Sequence, residues 1–229
     1  MQEVRLNIGC GPIMLPTTWI NYDRADFATY LHFLKTNANN DLSIYAESVQ
    51  KCAKFLKNGE DFDFRIHDLR KGFSQHEDNS ITSIYIGQVI EHLNPIYEVP
   101  KLLKECYRML KPGGVIRVTT PDLDILLDAY MNNKMYKFAS EQPLFYSNAE
   151  PSLQLSYLMF GACGENCTWD FYEGHMCMYN KSSMTKFLTD AQFKEIEFHN
   201  RSGKSKDPMM ARDIVDAGMT HSFISEAIK

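Results

Sequence analysis

Four short stretches of this chain carry residue types that could hold a ligand, and each follows an apolar run. The first is Asn7-Ile8-Gly9-Cys10-Gly11, where the glycine spacing permits unusual backbone dihedrals and a close approach of ligand to main chain. The same spacing also describes a plain tight turn. A nicotinamide fingerprint wants a third glycine at position 14, which is Met14, so a dehydrogenase is disfavoured. The second is Asp23, whose carboxylate could accept both hydrogen bonds of a ribose diol, or simply cap a turn. The third, His67-Asp68-Leu69, offers an acceptor for an exocyclic adenine amine beside an apolar wall, or an N-cap. The fourth is Gly87-Gln88-Val89-Ile90-Glu91-His92, with Gly87 for close approach and a histidine at the mouth of the same cleft.

Histidine is the side chain best matched to proton transfer near neutral pH, which makes His92 and His175 the candidate bases. The alternatives are a helix-capping His92 and a coil His175 without a role. Cys163-x-x-x-Cys167 and His175-x-Cys177 bring together four groups of zinc-ligand type, but in a spacing that fits no common structural zinc pattern. No metal is therefore expected. The six cysteines, at 10, 52, 106, 163, 167 and 177, do not make a disulfide scaffold and read as thiols.

The elements that must position these residues alternate between strand and helix, which predicts an α/β protein with a parallel sheet covered on both faces. Val4 to Ile8 and Trp19 to Tyr22 read as strands that end at the first glycine turn and at Asp23, with very little helix between them. Leu42, Tyr45, Ala46, Val49, Ala53 and Leu56 recur at three- and four-residue intervals on one helical face, and Asn58-Gly59 ends that helix. Phe62, Phe64 and Ile66 alternate with Asp63, Arg65 and His67, the pattern of a strand with one wet face at a sheet edge. Ile81 to Ile86 is the next strand. Val99, Leu102, Leu103, Cys106, Met109 and Leu110 form the clearest helical face, stopped by Lys111-Pro112-Gly113-Gly114. Strands follow at Val115 to Thr120, Glu195 to His199 and Ser222 to Ile228, with a helix from Lys181 to Gln192. The last two strands are expected to pair.

The 229 residues allow one domain of this kind, and 44% apolar with 23% charged residues is the composition of an ordinary soluble globular protein. A net charge of -5 gives no attraction to a phosphate backbone or an anionic membrane, so neither nucleic acid nor a membrane is an expected partner. Glu3 and Arg5 stand where a secretion signal needs an apolar core, and the expected location is cytoplasmic.

Taken in order, each at the end of a strand, these segments resemble the class I S-adenosylmethionine-dependent methyltransferases, in the bacterial branch whose first motif reads Leu-Asn-x-Gly-Cys-Gly. Leu6 to Gly11 carries that motif, and Trp19 to Asp23, His67 to Leu69, Ile90 to Leu93, Leu110 to Gly114, Thr120 to Leu123 and Ser222 to Ile228 are similar to the branch's other segments. The resemblance covers residues 1 to 125 and 180 to 229. It implies a Rossmann-like methyltransferase fold, a seven-stranded mostly parallel sheet with an antiparallel last strand. It also implies S-adenosyl-L-methionine as cofactor, with Gly9, Cys10 and Gly11 around its methionine part and Asp23 on its ribose. Asp68 and Leu69 would then flank adenine, and Gly87 and Gln88 would meet the methionyl amine or carboxylate. The commoner acidic residue of the first motif is Asn7 here, which can still accept a hydrogen bond from an ammonium but without charge assistance.

Residues 122 to 180 lie between strand five and the last helix, where an inserted cap over the cleft would write substrate identity. They hold 11 of the chain's 28 aromatic residues and eight carboxylates against two lysines, a local charge of -6. Those rings could build a water-excluding lid, the core of the insertion or a dimer contact. The expected function is methyl transfer to an oxygen or nitrogen of a small polar acceptor, neutral or cationic, such as a sugar-like hydroxyl or an amine. The alternatives are a protein or RNA acceptor, or a cofactor-binding fold without catalysis.

Overall fold

The computed structural model describes residues 3–11, 13–24, 32, 34–36, 41, 47–141, 148–160, 174–199, 204–214 and 220–229. Its centre is one seven-stranded sheet: β1 Arg5–Ile8, β2 Trp19–Asp23, β3 Asp63–Ile66, β4 Ile81–Gly87, β5 Leu110–Pro121, β6 Lys194–His199 and β7 Ser222–Ile228, in the order β3-β2-β1-β4-β5-β7-β6. Strands β1 to β5 pair in parallel, and β7 runs antiparallel to both neighbours. The fold expected from the sequence is the fold observed. The strand order reverses between β1 and β4, which puts the carboxyl ends of β1, β2 and β4 along one crevice.

Each strand's composition follows from its place. β1 is central, so all four of its side chains are buried, and its one charge, Arg5, donates through Nε to Asp207 Oδ2 at 2.8 Å. β3 is an edge strand, as its pattern predicts, but Ile66, which that pattern puts on the apolar face, is exposed together with Arg65 because the strand has a neighbour on one side only. β5 carries Arg117, buried and bonded at 3.0 Å to the equally buried Glu226 of β7.

The described helices are α1 Glu47–Lys57, α2 Glu98–Met109, α3 Leu123–Met131, α4 Pro151–Phe160, α5 Lys181–Asp190 and α6 Pro208–Asp213, of which α3 and α4 pack on each other in the insertion. The predicted start of α1, at Leu42, Tyr45 and Ala46, lies outside the described residues. In α2 the buried face is Val99, Leu102, Leu103, Cys106 and Met109. Leu110, read from its spacing as the last residue of that face, instead opens β5 opposite Ile81. Pro112 disfavours a helical Lys111, so the chain turns extended before the glycines. α5 begins at a reciprocal cap, in which Asn180 Oδ1 accepts from Ser183 N and Asn180 N donates to Ser183 Oγ. It stops two residues short of the expected Gln192, which takes φ 75°.

Among the described residues no helix is long and apolar enough to cross a membrane. The insertion between β5 and α5 has its own small core of Leu126, Ala129, Met135, Phe138 and Leu158. Its two ends are joined where Asp122 and Tyr179 bridge in parallel and Leu123 N donates to Tyr179 O at 2.8 Å.

Candidate active site at the strand ends

The turn after β1 is built by main chain. Gly9 N and Cys10 N both donate to Tyr22 O of β2, at 2.8 and 3.0 Å, and this bends the chain sharply over the end of the neighbouring strand. Gly9 has φ 67° and Gly11 φ 48°, a region in which a side chain is strained. At Gly9 space matters as well, because a Cβ there would stand 2.4 Å from Val89 Cγ2. The β1 turn and the β4 exit therefore touch through a bare glycine. Cys10 turns its thiol into the core beside Met14, Cys52 and Phe62, and burial, then the nearby Asp23, push that thiol well up. It contributes backbone to the turn and no nucleophile.

Asp23 ends β2 with its carboxylate already held: Gly11 N donates to Oδ2 at 3.0 Å. Asn7 is 1% exposed and spends its amide on the chain itself, donating to Ile13 O at 2.8 Å and Asn21 Oδ1 at 2.9 Å. It fixes the short helix-free connection behind the turn.

Past β3, Asp68 caps the 3-10 turn Leu69–Lys71 through Arg70 N. Its carboxylate also receives Arg70 Nε at 2.9 Å and Nη2 at 3.2 Å, and these bonds, against some desolvation, hold it below the usual carboxylate range. Leu69 packs against the main core and lines a groove with Arg70, Tyr97 and Lys101.

At the exit of β4, Gly87 is forced by its own strand, because a Cβ would lie 2.6 Å from the Tyr85 hydroxyl. Gln88 follows in the left-handed region at φ 54°, with its N bonded to Thr119 O at 2.9 Å and Nε2 to Ser222 Oγ at 3.1 Å. That kink leads into the 3-10 turn Ile90–His92, which sends Glu91 inward and leaves His92 half-buried.

The insertion returns to this exit. Met176 N donates to Glu91 O at 2.7 Å, and the rings of His92 and His175 meet edge-on with centroids 4.8 Å apart. The two candidate bases thus come together from distant parts of the sequence. His175 Nδ1 lies 3.0 Å from Met159 O, which makes Nδ1 the protonated nitrogen. Burial, then His92, lower its pKa to about 4, so the ring is neutral at pH 7.

The residue that sequence reading passed over is Glu91. It is 0% exposed, Thr120 Oγ1 donates to its Oε2 at 3.1 Å, and its Oε1 has no partner. Burial raises its pKa to about 8 against the opposing hydrogen bonds. A carboxylate in the apolar run Ile86 to Leu93 was the available signal. Of the four zinc-type groups weighed in the insertion, Cys163 and Cys167 lie outside the described residues, and Cys177 is half-buried with its Sγ 3.5 Å from Met178 O.

Of the aromatic residues proposed for a lid, Phe138 is in the insertion's core and Tyr130 and Tyr157 pack against it. Tyr179 belongs to the main core, while Tyr136 and Phe160 are exposed. Phe145, Tyr146, Trp169, Phe171 and Tyr172 lie outside the described residues.

Residues 6–118 match the family described as "Methyltransferase domain". Comparison with curated proteins returns no match. Among solved structures, a SAM-dependent methyltransferase from Methanosarcina mazei superposes with a TM-score of 0.53 at 14% identity, covering 100% of this chain and 93% of that one. A protein from Bordetella parapertussis described as a possible exported protein gives 0.50 at 12% identity, covering 100% and 62%. At these identities the likeness is one of fold. The glycine turn, the Asp23 carboxylate and the β4 exit thus all lie within the part of the chain that matches a methyltransferase domain, on a fold shared with a SAM-dependent methyltransferase.

Proposed function

We propose that the chain methylates an oxygen or nitrogen of a small polar acceptor, neutral or cationic, such as a sugar-like hydroxyl or an amine. One observation carries this reading: His175 is brought edge-on to His92 beside the β4 exit, so two imidazoles converge next to the cofactor crevice. Neutral His175, with Nδ1–H committed to Met159 O, presents Nε2 as a proton acceptor.

The strand ends fit S-adenosylmethionine by their chemistry. The bare Gly9 admits a ligand against main chain where a Cβ would strike Val89, so Gly9, Cys10 and Gly11 would wrap the methionine part. Asp23, aimed by Gly11 N–H, would accept the ribose hydroxyls. Gly87 and Gln88 would meet the methionyl amine or carboxylate, and Asp68 with Leu69 would stand beside adenine. Asn7 supports the turn from behind. When bound, the cofactor supplies an already activated methyl group, which leaves the protein to hold a nucleophile in line and exclude water. The insertion's charge selects among acceptors. Asp124, Asp128 and Glu150 are exposed on a segment of net charge -6, which repels phosphorylated compounds and tolerates neutral or cationic ones.

Calorimetry with S-adenosylhomocysteine tests the cradle. Asp23→Ala removes a charged acceptor worth about 1.5–3 kcal/mol per bond and should weaken binding at least 10-fold. His92→Ala should leave binding within about 2-fold and slow methylation about 100-fold or more, read as mass gain of the acceptor. A folded protein that gives no heat with cofactor or product would sink this reading, and a preference for phosphorylated acceptors would sink the specificity argument.

A further inference from the structure

We propose that Glu91, His92 and His175 bind one divalent first-row transition cation. One ligand atom from each of the three lies within 4.8 Å of the others. Metal–ligand bonds of about 2.1 Å at tetrahedral angles place ligand atoms about 3.4 Å apart, a gap that small side-chain rotations close. Two imidazoles and one carboxylate suit zinc, cobalt or manganese and leave a coordination position open.

A second observation points to a ligand independently of the cluster. Glu91 is 0% exposed and its Oε1 is buried without a hydrogen-bond partner, while among the described residues no Lys or Arg pairs with it. A buried carboxyl oxygen in that position lacks any partner that would let the group ionise, and a cation supplies one. The surrounding bonds fix the ligands before any ion arrives. Thr120 Oγ1 holds Glu91 Oε2, and Met159 O holds Nδ1 of His175 so that Nε2 carries the lone pair. Glu91 O, taking bonds from Met176 N and Cys177 N at 2.7 and 3.3 Å, ties the segment that carries His175 to the turn that carries the other two. The spacing argument against a metal considered His175 with three cysteines; the fold gives it different partners.

The ion's role rests on the methyl-acceptor reading above, whereas its binding does not. Held there, it would accept the acceptor's hydroxyl at its open position and lower that hydroxyl's pKa, the proton leaving to solvent. With the ion bound, the lone pair of His175 Nε2 is engaged and activation of the acceptor passes to the ion; without it, His175 keeps the proton-acceptor role given above.

The test uses the full chain, stripped with chelator and titrated with Co2+ in the absence of cofactor, followed in the visible d–d bands and in the near-ultraviolet thiolate region. We expect one equivalent bound without a thiolate charge-transfer band, displaced by Zn2+. Glu91→Gln and His175→Ala should each lose about 100-fold in affinity, and Cys177→Ser none. Zn2+ should raise the melting temperature of the wild-type chain and not that of His175→Ala, whose half-buried site tolerates truncation. No saturable binding by the folded wild type, binding unchanged in both ligand variants, or a thiolate band lost in Cys177→Ser would each overturn the proposal. Because S-adenosylhomocysteine calorimetry is independent of the ion, failure here leaves the methyltransfer reading standing, and the reverse holds.

Discussion

Replacing Gly9 and Gly11 separately by alanine distinguishes backbone strain from lost space in the turn after β1. Both glycines have positive φ, 67° and 48°, so each alanine incurs the left-handed penalty of about 1–2 kcal/mol. At Gly11 nothing lies within 4 Å of the added Cβ, so that penalty is the whole cost. At Gly9 the Cβ would stand 2.4 Å from Val89 Cγ2 and 3.0 Å from Cγ1, and the β1 turn and the β4 exit must part. Overpacking of that kind adds about 1–3 kcal/mol, for a total of about 2–5. Val89→Ala alone, at a buried position, should lose about 1–3 kcal/mol to a cavity. In the double variant Gly9→Ala/Val89→Ala the new methyl enters the space the valine vacates, so the overpacking vanishes. The coupling should be about 1–3 kcal/mol in the stabilising direction. Urea unfolding of the four variants reads this directly, through midpoints at unchanged slope. Equal losses for Gly9→Ala and Gly11→Ala, or a double variant whose loss is the sum of its parts, would refute the steric argument and leave φ alone as the reason for Gly9.

Two further predictions concern buried charge. Arg117→Leu strands Glu226, which also takes bonds from Ser205 Oγ at 2.6 Å and Lys206 N at 2.8 Å; it should cost about 3–5 kcal/mol, whereas Arg117→Leu/Glu226→Leu recovers most of that. A double variant no more stable than the single would show that the pair is not acting as a unit. Burial would raise the Asp207 pKa, but bonds from Arg5, Ser83 and Met209 N together outweigh it and the net direction is down. The unfolded chain therefore takes up this proton at higher pH than the folded one. The stabilisation is complete above the ordinary carboxylate pKa of about 3.9 and is lost as pH falls through the lowered one. Urea midpoints measured from pH 6 down to pH 3 should fall less steeply in Asp207→Asn than in the wild type, and parallel curves would exclude Asp207 from acid unfolding.

The fold was legible because its local and global signals agree. β3 has exposed residues because it is an edge, β1 is buried throughout because it is central, and the face of α2 repeats at the helical period. The misplaced boundaries share a cause, since each depends on a conformation that period alone does not encode. Leu110 belongs to β5 because of the proline two residues later, and β6 starts at Lys194 with a bulge that puts Glu195 at φ 47°. Arg5 and Arg117 could not be read as core from their type. Their partners, Asp207 and Glu226, lie far along the chain and meet them only through β1's burial and the β5–β7 pairing.

The site divides along the same line. The glycines that the backbone requires were readable, because a glycine that must be glycine is visible as a letter and the turn after a strand is local. Asp68 illustrates the opposite case. Ligand contact and capping ask for the same residue type, and the structure shows the cap, made by Arg70 two positions on. Glu91 illustrates it more sharply, since its inward direction is set by a left-handed Gln88 and one 3-10 turn, and its surroundings by Thr120 and the returning segment at Met176. For the proposed ion, ligand spacing within one segment tests the wrong neighbours. Here the parallel sheet brings the β4 and β5 exits side by side, and the insertion that leaves β5 returns past Glu91 before α5 begins. His175, carried on that return, meets the Glu-His pair of the β4 exit despite its distance in sequence, whereas Cys177 two residues on turns its thiol toward Met178 O.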